Sequence, residues 1–199
     1  MSSVINLVLG VLLVYVIVGP LPLGLQLLAT WLVQRREQKN GQGVVANGDW
    51  WKLLGTVRAG VWAFFAGLVV WVLFLSWTPD QLGLPMGGPY ADWQVVACGV
   101  GAVCAVVMLS LRTRWLFAGA LGVVLGFTAG FSLAWSFWAA ADDSSGLWAA
   151  GLVFLLVGCL IGLNFVGLIV ASARAERARD QQAGVKGQKV CPESPIFRG

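Results

Sequence analysis

Five apolar stretches, at about 4–33, 57–77, 93–111, 115–139 and 147–171, make up most of this chain, and the sole charged side chain within them is Arg58 at the start of the second. A helix rises 1.5 Å per residue, so roughly 20 apolar residues cross the hydrocarbon of a bilayer. In hydrocarbon every backbone N–H and C=O needs a partner within the protein, which makes each stretch a candidate transmembrane helix. Only 11% of the 199 residues are charged, too few to cover a soluble surface. The expected fold is an all-α integral membrane bundle of five transmembrane helices over residues 1–172. A basic tail, 173–199, follows it, helical at first and then flexible.

The charges between the stretches set an orientation. Arg35, Arg36, Lys39, Lys52 and Arg58 accompany the first connection, Arg112 and Arg114 the third, and Arg174, Arg177, Arg179, Lys186, Lys189 and Arg198 the tail. The second connection carries Asp80 and Asp92, the fourth Asp142 and Asp143, and neither has a basic residue. The positive-inside rule then places the N-terminus outside and the C-terminus in the cytoplasm, in a bacterial inner membrane. Trp31, Trp77, Trp93, Trp115, Trp138 and Trp148 fall near stretch ends, as interfacial aromatic belts do. The Met-Ser-Ser start lacks the basic n-region of a signal peptide. Although the net charge is +4, its placement beside apolar spans suits anionic headgroups rather than nucleic acid.

Several chemistries are disfavoured. Histidine is absent, which removes the commonest metal ligand, the neutral-pH proton shuttle, and any Ser-His-Asp or Cys-His set. The spans hold no Asp, Glu or Lys, which pumps and ion carriers usually need. Cys98, Cys104 and Cys159 read as small apolar residues, and no nucleotide-binding motif appears. A non-catalytic protein is expected, with neither a resident metal nor an obligatory cofactor.

Packing signals are abundant. Ala118, Gly122, Gly126, Gly130 and Ala134 recur every four residues in the fourth span, a smooth stripe of the glycine-zipper kind. Ala97, Gly101 and Ala105 repeat the theme in the third span, and Gly158 and Gly162 in the fifth. These three spans are expected to nest together. Beside the stripe lie Phe127, Phe131, Trp135 and Trp138, an aromatic row suited to lipid, core, or a flat ligand. Gly19-Pro20-Leu21-Pro22 interrupts the first span, where two missing N–H donors leave the carbonyls of Val16 and Val18 without helical partners. Residues 4–33 then cross once with a kink, or form a re-entrant hairpin. Polar side chains within spans are few, and include Gln26, Thr30, Thr128, Ser132, Ser136 and Asn164, of which Asn and Gln tend to bond between helices. Candidate ligand-binding residues are Pro20, Pro22, Gln26, Phe127, Phe131, Trp135 and Asn164.

The first connection begins with a flexible polar segment, QRREQKNGQG. Asp49 then caps a turn in which Trp50, Trp51 and Lys52 form an interfacial anchor or docking surface. Gly184 marks the stop of a helix continuing from the fifth span. Gly162-Leu163-Asn164-Phe165, five spans and many tryptophans resemble the TspO family, which binds porphyrins and sterols. The resemblance covers the last span and the general topology. The family's Trp-Asn-Pro-Pro segment is replaced by Asp49-Trp50-Trp51-Lys52, and the chain is not assigned to the family.

Two functions fit. The first is a non-catalytic accessory, scaffold or assembly subunit, partnered by the bilayer and other integral membrane subunits. The second is a binder or facilitator for a small hydrophobic or neutral molecule: a pigment, quinone, sterol or lipid.

Overall fold

The structure is a computed structural model that describes residues 2–40, 55–77, 90–142 and 147–188. Its elements are six helices: α1 (Ser2–Val18), α2 (Pro20–Lys39), α3 (Thr56–Leu75), α4 (Asp92–Leu111), α5 (Phe117–Asp142) and α6 (Trp148–Gln188). Helices α3 to α6 are each long and apolar enough to cross a membrane. The pair α1–α2 passes the same test jointly across its break, so the described residues hold four candidate spans, or five with the pair counted as one.

Helix α5 is the hub. About 61% of its apolar window is buried, against 22% for each of α3, α4 and α6. It packs against every other helix. The sequence explains why, since α5 has the small residues that let neighbours approach on several sides. Ala118, Ala120, Val123, Val124, Phe127, Thr128, Ser132 and Ser136 are all buried.

The expected nest of the third, fourth and fifth spans is not what fills the α5 stripe. Helix α3, the second span, lies there instead. A Cβ on Gly126 would strike the carbonyl oxygen of Gly60, and one on Gly130 that of Phe64. Reciprocally, a Cβ on Gly67 would strike the carbonyl of Phe127. Backbone thus meets backbone, as small residues permit in an apolar medium. The physical reason is register: Ala59, Ala63 and Gly67 give α3 its own ridge at four-residue spacing, and the two alanines are fully buried. Helix α4 instead turns Cys98 and Val106 into the core. Its Gly101 packs on the Phe74 ring, 3.0 Å from the position of an added Cβ. Gly158 and Gly162 of α6 face open space.

The first apolar stretch becomes two helices bent by 53° at Gly19. Gly19 itself keeps right-handed helical angles, and its N–H bonds to the Tyr15 carbonyl at 2.8 Å. The bend follows from Pro20, whose ring cannot share space with the carbonyl four residues earlier. Helix α2 then runs to Lys39, so the part of QRREQKNGQG through Lys39 is helical and not a flexible segment. At the far end α6 runs through Gly184 to Gln188. A glycine inside a helix costs only about 1 kcal/mol relative to alanine, too little to end one by itself.

Candidate functional site

Three groups of polar contacts hold the bundle, and two apolar hollows lie between them. The first group sits at the basic end. Glu37 is 3% exposed. Its Oε1 accepts from the Phe117 N–H at 2.8 Å and its Oε2 from the Ala118 N–H at 3.2 Å. These are the first amides of α5, which have no partner within their own helix. A carboxylate there also meets the positive end of the helix dipole. Arg174 does the converse for α4. Its Nη1 donates to the Ser110 carbonyl at 2.7 Å and to Thr113 Oγ1 at 3.2 Å, and its Nη2 to the Thr113 carbonyl at 2.8 Å. Because α6 continues well past it, Arg174 is mid-helix, and the carbonyls it satisfies belong to the end of α4.

The second group lies at mid-bundle. Gln26 and Asn164 exchange amide hydrogen bonds: Gln26 Nε2 donates to Asn164 Oδ1 at 2.9 Å, and Asn164 Nδ2 to Gln26 Oε1 at 3.0 Å. The same Gln26 Nε2 lies 3.3 Å from the Leu121 carbonyl, tying α2, α5 and α6 together. Tyr15 reaches α5 from the other side of the bend, its hydroxyl 3.0 Å from the Ala129 carbonyl and 2.9 Å from Ser132 Oγ. The third group closes the opposite end. Gln94, fully buried, donates from Nε2 to the carbonyls of Phe74 (3.0 Å) and Trp77 (3.1 Å), and its Oε1 accepts from the Ala91 N–H. Trp77 and Trp93 contact each other there, as do Tyr90 and Trp138.

Glu37, Tyr15 and Gln94 were not singled out from sequence. Glu37 looked like one acid in a basic segment. The available signal was its spacing: it lies eleven residues after Gln26, three turns on the same face of a helix.

The first hollow is a crevice of about 350 Å³ between α4 and α6. Its floor is Phe127 and Phe131, stacked with ring centroids 6.0 Å apart. Its lips are mostly small residues: Gly99, Ala102, Gly158 and Gly162. Cys98 and Cys159 also line it. The second is a gap of about 540 Å³ between α2 and α3, floored by Gly122 and Gly126.

The candidate ligand residues are therefore not gathered into one place. Phe127 and Phe131 line the crevice, whereas Pro20, Pro22, Gln26, Trp135 and Asn164 do not. Gln26 and Asn164 spend their amides on each other. Trp135 packs on α6, where its indole lies 2.9 Å from a Cβ built on Gly151. Pro20 is exposed and Pro22 half-buried on α2. Of the packing residues, Ala118, Gly122 and Gly130 are buried and Gly126 and Ala134 half-buried, while Ala97, Gly101 and Ala105 are half-buried on α4. Trp50, Trp51 and Lys52 lie outside the described residues, as do Asp80 and Asp143. Among the described residues no three His, Cys, Asp or Glu side chains converge in a way that could hold a metal ion. No protein-family model matches the chain, and no curated protein or solved structure is significantly similar to it.

Proposed function

We propose that the chain is a non-catalytic accessory or assembly subunit that docks against another integral membrane protein through the α4–α6 crevice. The observation that carries this reading is the pair Gly158 and Gly162. Both are exposed, with nothing within 4 Å of an added Cβ, while the smooth residues of α5 are already used against α3. In a bilayer, where lipid offers no hydrophobic drive for association, smooth faces are where helices approach closely. A partner helix laid between α4 and α6 would meet small lips and the Phe127–Phe131 floor. The reading includes five crossings with the N-terminus outside. Tyr15 bonds at Ala129 and Ser132, Gln26 at Leu121 and Glu37 at Phe117, so α2 descends antiparallel to α5. The 53° bend at Gly19 supports a single kinked crossing in this reading, since it falls well short of the reversal of a hairpin.

The test is native mass spectrometry of protein extracted gently from its own membrane, for the parent and for Gly158→Leu with Gly162→Leu. Companion chains in fixed ratio, lost from the double variant while the chain stays folded, support the reading. A second reading has one favouring observation, the stacked phenylalanine floor, which suits a flat hydrophobic ligand such as a pigment, quinone or sterol. A lone protein carrying a bound small molecule overturns the subunit reading in its favour.

A further inference from the structure

Helices α2 and α3 both pack on α5, yet among the described residues their backbones do not come close to one another. The 540 Å³ gap between them lies within the range of about 300–1,000 Å³ usual for ligand sites. It shares no residue with the α4–α6 crevice, so what occupies it is independent of any partner there. Along α3 the gap runs from Thr56 to Phe65, about 14 Å at helical rise. A crossing helix, at roughly 30 Å, is too long to be seated in it.

The walls change character along this length. Gly60, Val61 and Phe64 face Leu125 across the apolar part. Toward the basic end the lining turns to Trp31, Gln34 and Thr56. The Thr56 hydroxyl is buried and has no hydrogen-bond partner. The Arg35 guanidinium lies on the Trp31 ring, 3.7 Å from its centroid, which places a cation at the margin of the gap. Arg58 follows Val57 in the first turn of α3, and Gly55 at the N-cap of that helix supplies no side-chain cap. The lining is thus apolar almost throughout, and the cations stand outside it, at the margin of one end.

We propose that this gap binds one anionic phospholipid from the leaflet at the basic end. One acyl chain lies against Gly60, Val61 and Phe64, and the phosphate sits beside Arg35 at the margin. Charge complementarity selects the occupant. A neutral flat molecule fills the apolar part and leaves the cations at the margin unmatched, and a short-headed amphiphile without negative charge does the same.

The experiment uses the full chain in phosphatidylcholine nanodiscs containing a small fraction of a chain-photoactivatable lipid, with either a phosphatidylglycerol or a phosphatidylcholine headgroup, followed by peptide mapping. Labelling of residues 57–65 by the phosphatidylglycerol probe should exceed that by the phosphatidylcholine probe about fivefold, the factor one basic side chain contributes at an anionic surface. Arg35→Gln should bring the two probes close to parity. Arg177→Gln, on α6, should leave the preference intact. Val61→Trp, at a half-exposed position on the gap wall, should abolish labelling by both without unfolding the chain. Equal labelling in the parent makes the gap an ordinary annular lipid contact and overturns the proposal. An equal loss from Arg177→Gln assigns the preference to diffuse surface charge and overturns it too, as does absence of labelling in residues 57–65.

Discussion

At the scale of single residues, the informative side chains are polar groups far from water. Gln26 and Asn164 could be picked out by inspection, since an amide in an apolar span has few ways to be satisfied. That they satisfy each other could not, because pairing depends on how α2 and α6 meet across α5. The pair makes a prediction. Gln26→Leu and Asn164→Leu should each lower stability, because each leaves the other amide unpaired in a low-dielectric interior. The double variant should be less destabilised than the sum of the two, with a coupling of about 0.6–2 kcal/mol. Denaturation in mixed micelles measures this, and strict additivity would show that the two amides do not depend on one another. Glu37→Ala should cost about 1–2 kcal/mol, as the loss of a good N-cap does, because the first amides of α5 lose their acceptor. Thermal melting in detergent checks it, and an unchanged midpoint would mean that water replaces the carboxylate without penalty.

At the scale of elements, the apolar stretches marked where helices begin to within a few residues, but α2 and α6 run on past theirs, to Lys39 and Gln188. The mutual packing of the helices was less legible. The small-residue stripe of α5 is visible in sequence, but the matching ridge of Ala59, Ala63 and Gly67 was overlooked beside richer glycine patterns in α4 and α6. Glycine count misled because it says where a backbone can approach, while register decides which one does. A ranked prediction follows from the geometry. Gly126→Ala should already destabilise, by about 1–3 kcal/mol, since the added Cβ meets the Gly60 carbonyl and neither backbone can yield easily. Gly158→Ala, with open space around it, should be nearly neutral in the isolated chain. Comparing their melting midpoints in one detergent tests the assignment, and equal losses would sink it. The proline break obeys the same logic, because both sides of it are anchored: Tyr15 on α5 before the bend, Gln26 on α5 and α6 after it. Restoring the N–H donors with Pro20→Ala and Pro22→Ala should straighten α1–α2. It should also lengthen the distance between spin labels placed at Ile5 and Arg35.

At the scale of the whole molecule, the proposed path through the bilayer rests on the charge pattern and on the contacts at one end of the bundle. All thirteen basic residues lie between or beyond the spans in segments that alternate, apart from Arg58 at a span's edge. Among the described residues, the contacts of buried Glu37 with the start of α5 and of half-buried Arg174 with the end of α4 both occur at the basic end of the bundle. Both ends of that path can be probed by cysteine chemistry. In a background with its native cysteines replaced, Ser3→Cys should react with a membrane-impermeant maleimide on intact cells. Gln38→Cys and Gln181→Cys should react only after the membrane is opened. The logic rests on the bend of 53° between α1 and α2: under the proposed five crossings α1 continues across the hydrocarbon, and residues 3 and 38 fall on opposite faces. Were Ser3→Cys protected to the same degree as Gln38→Cys, α1 and α2 would form a hairpin entered from one side. The chain would then cross four times. In that arrangement the apolar surface of α1, with Val4, Ile5, Leu9 and Leu13 exposed, would lie within a single leaflet instead of extending across both.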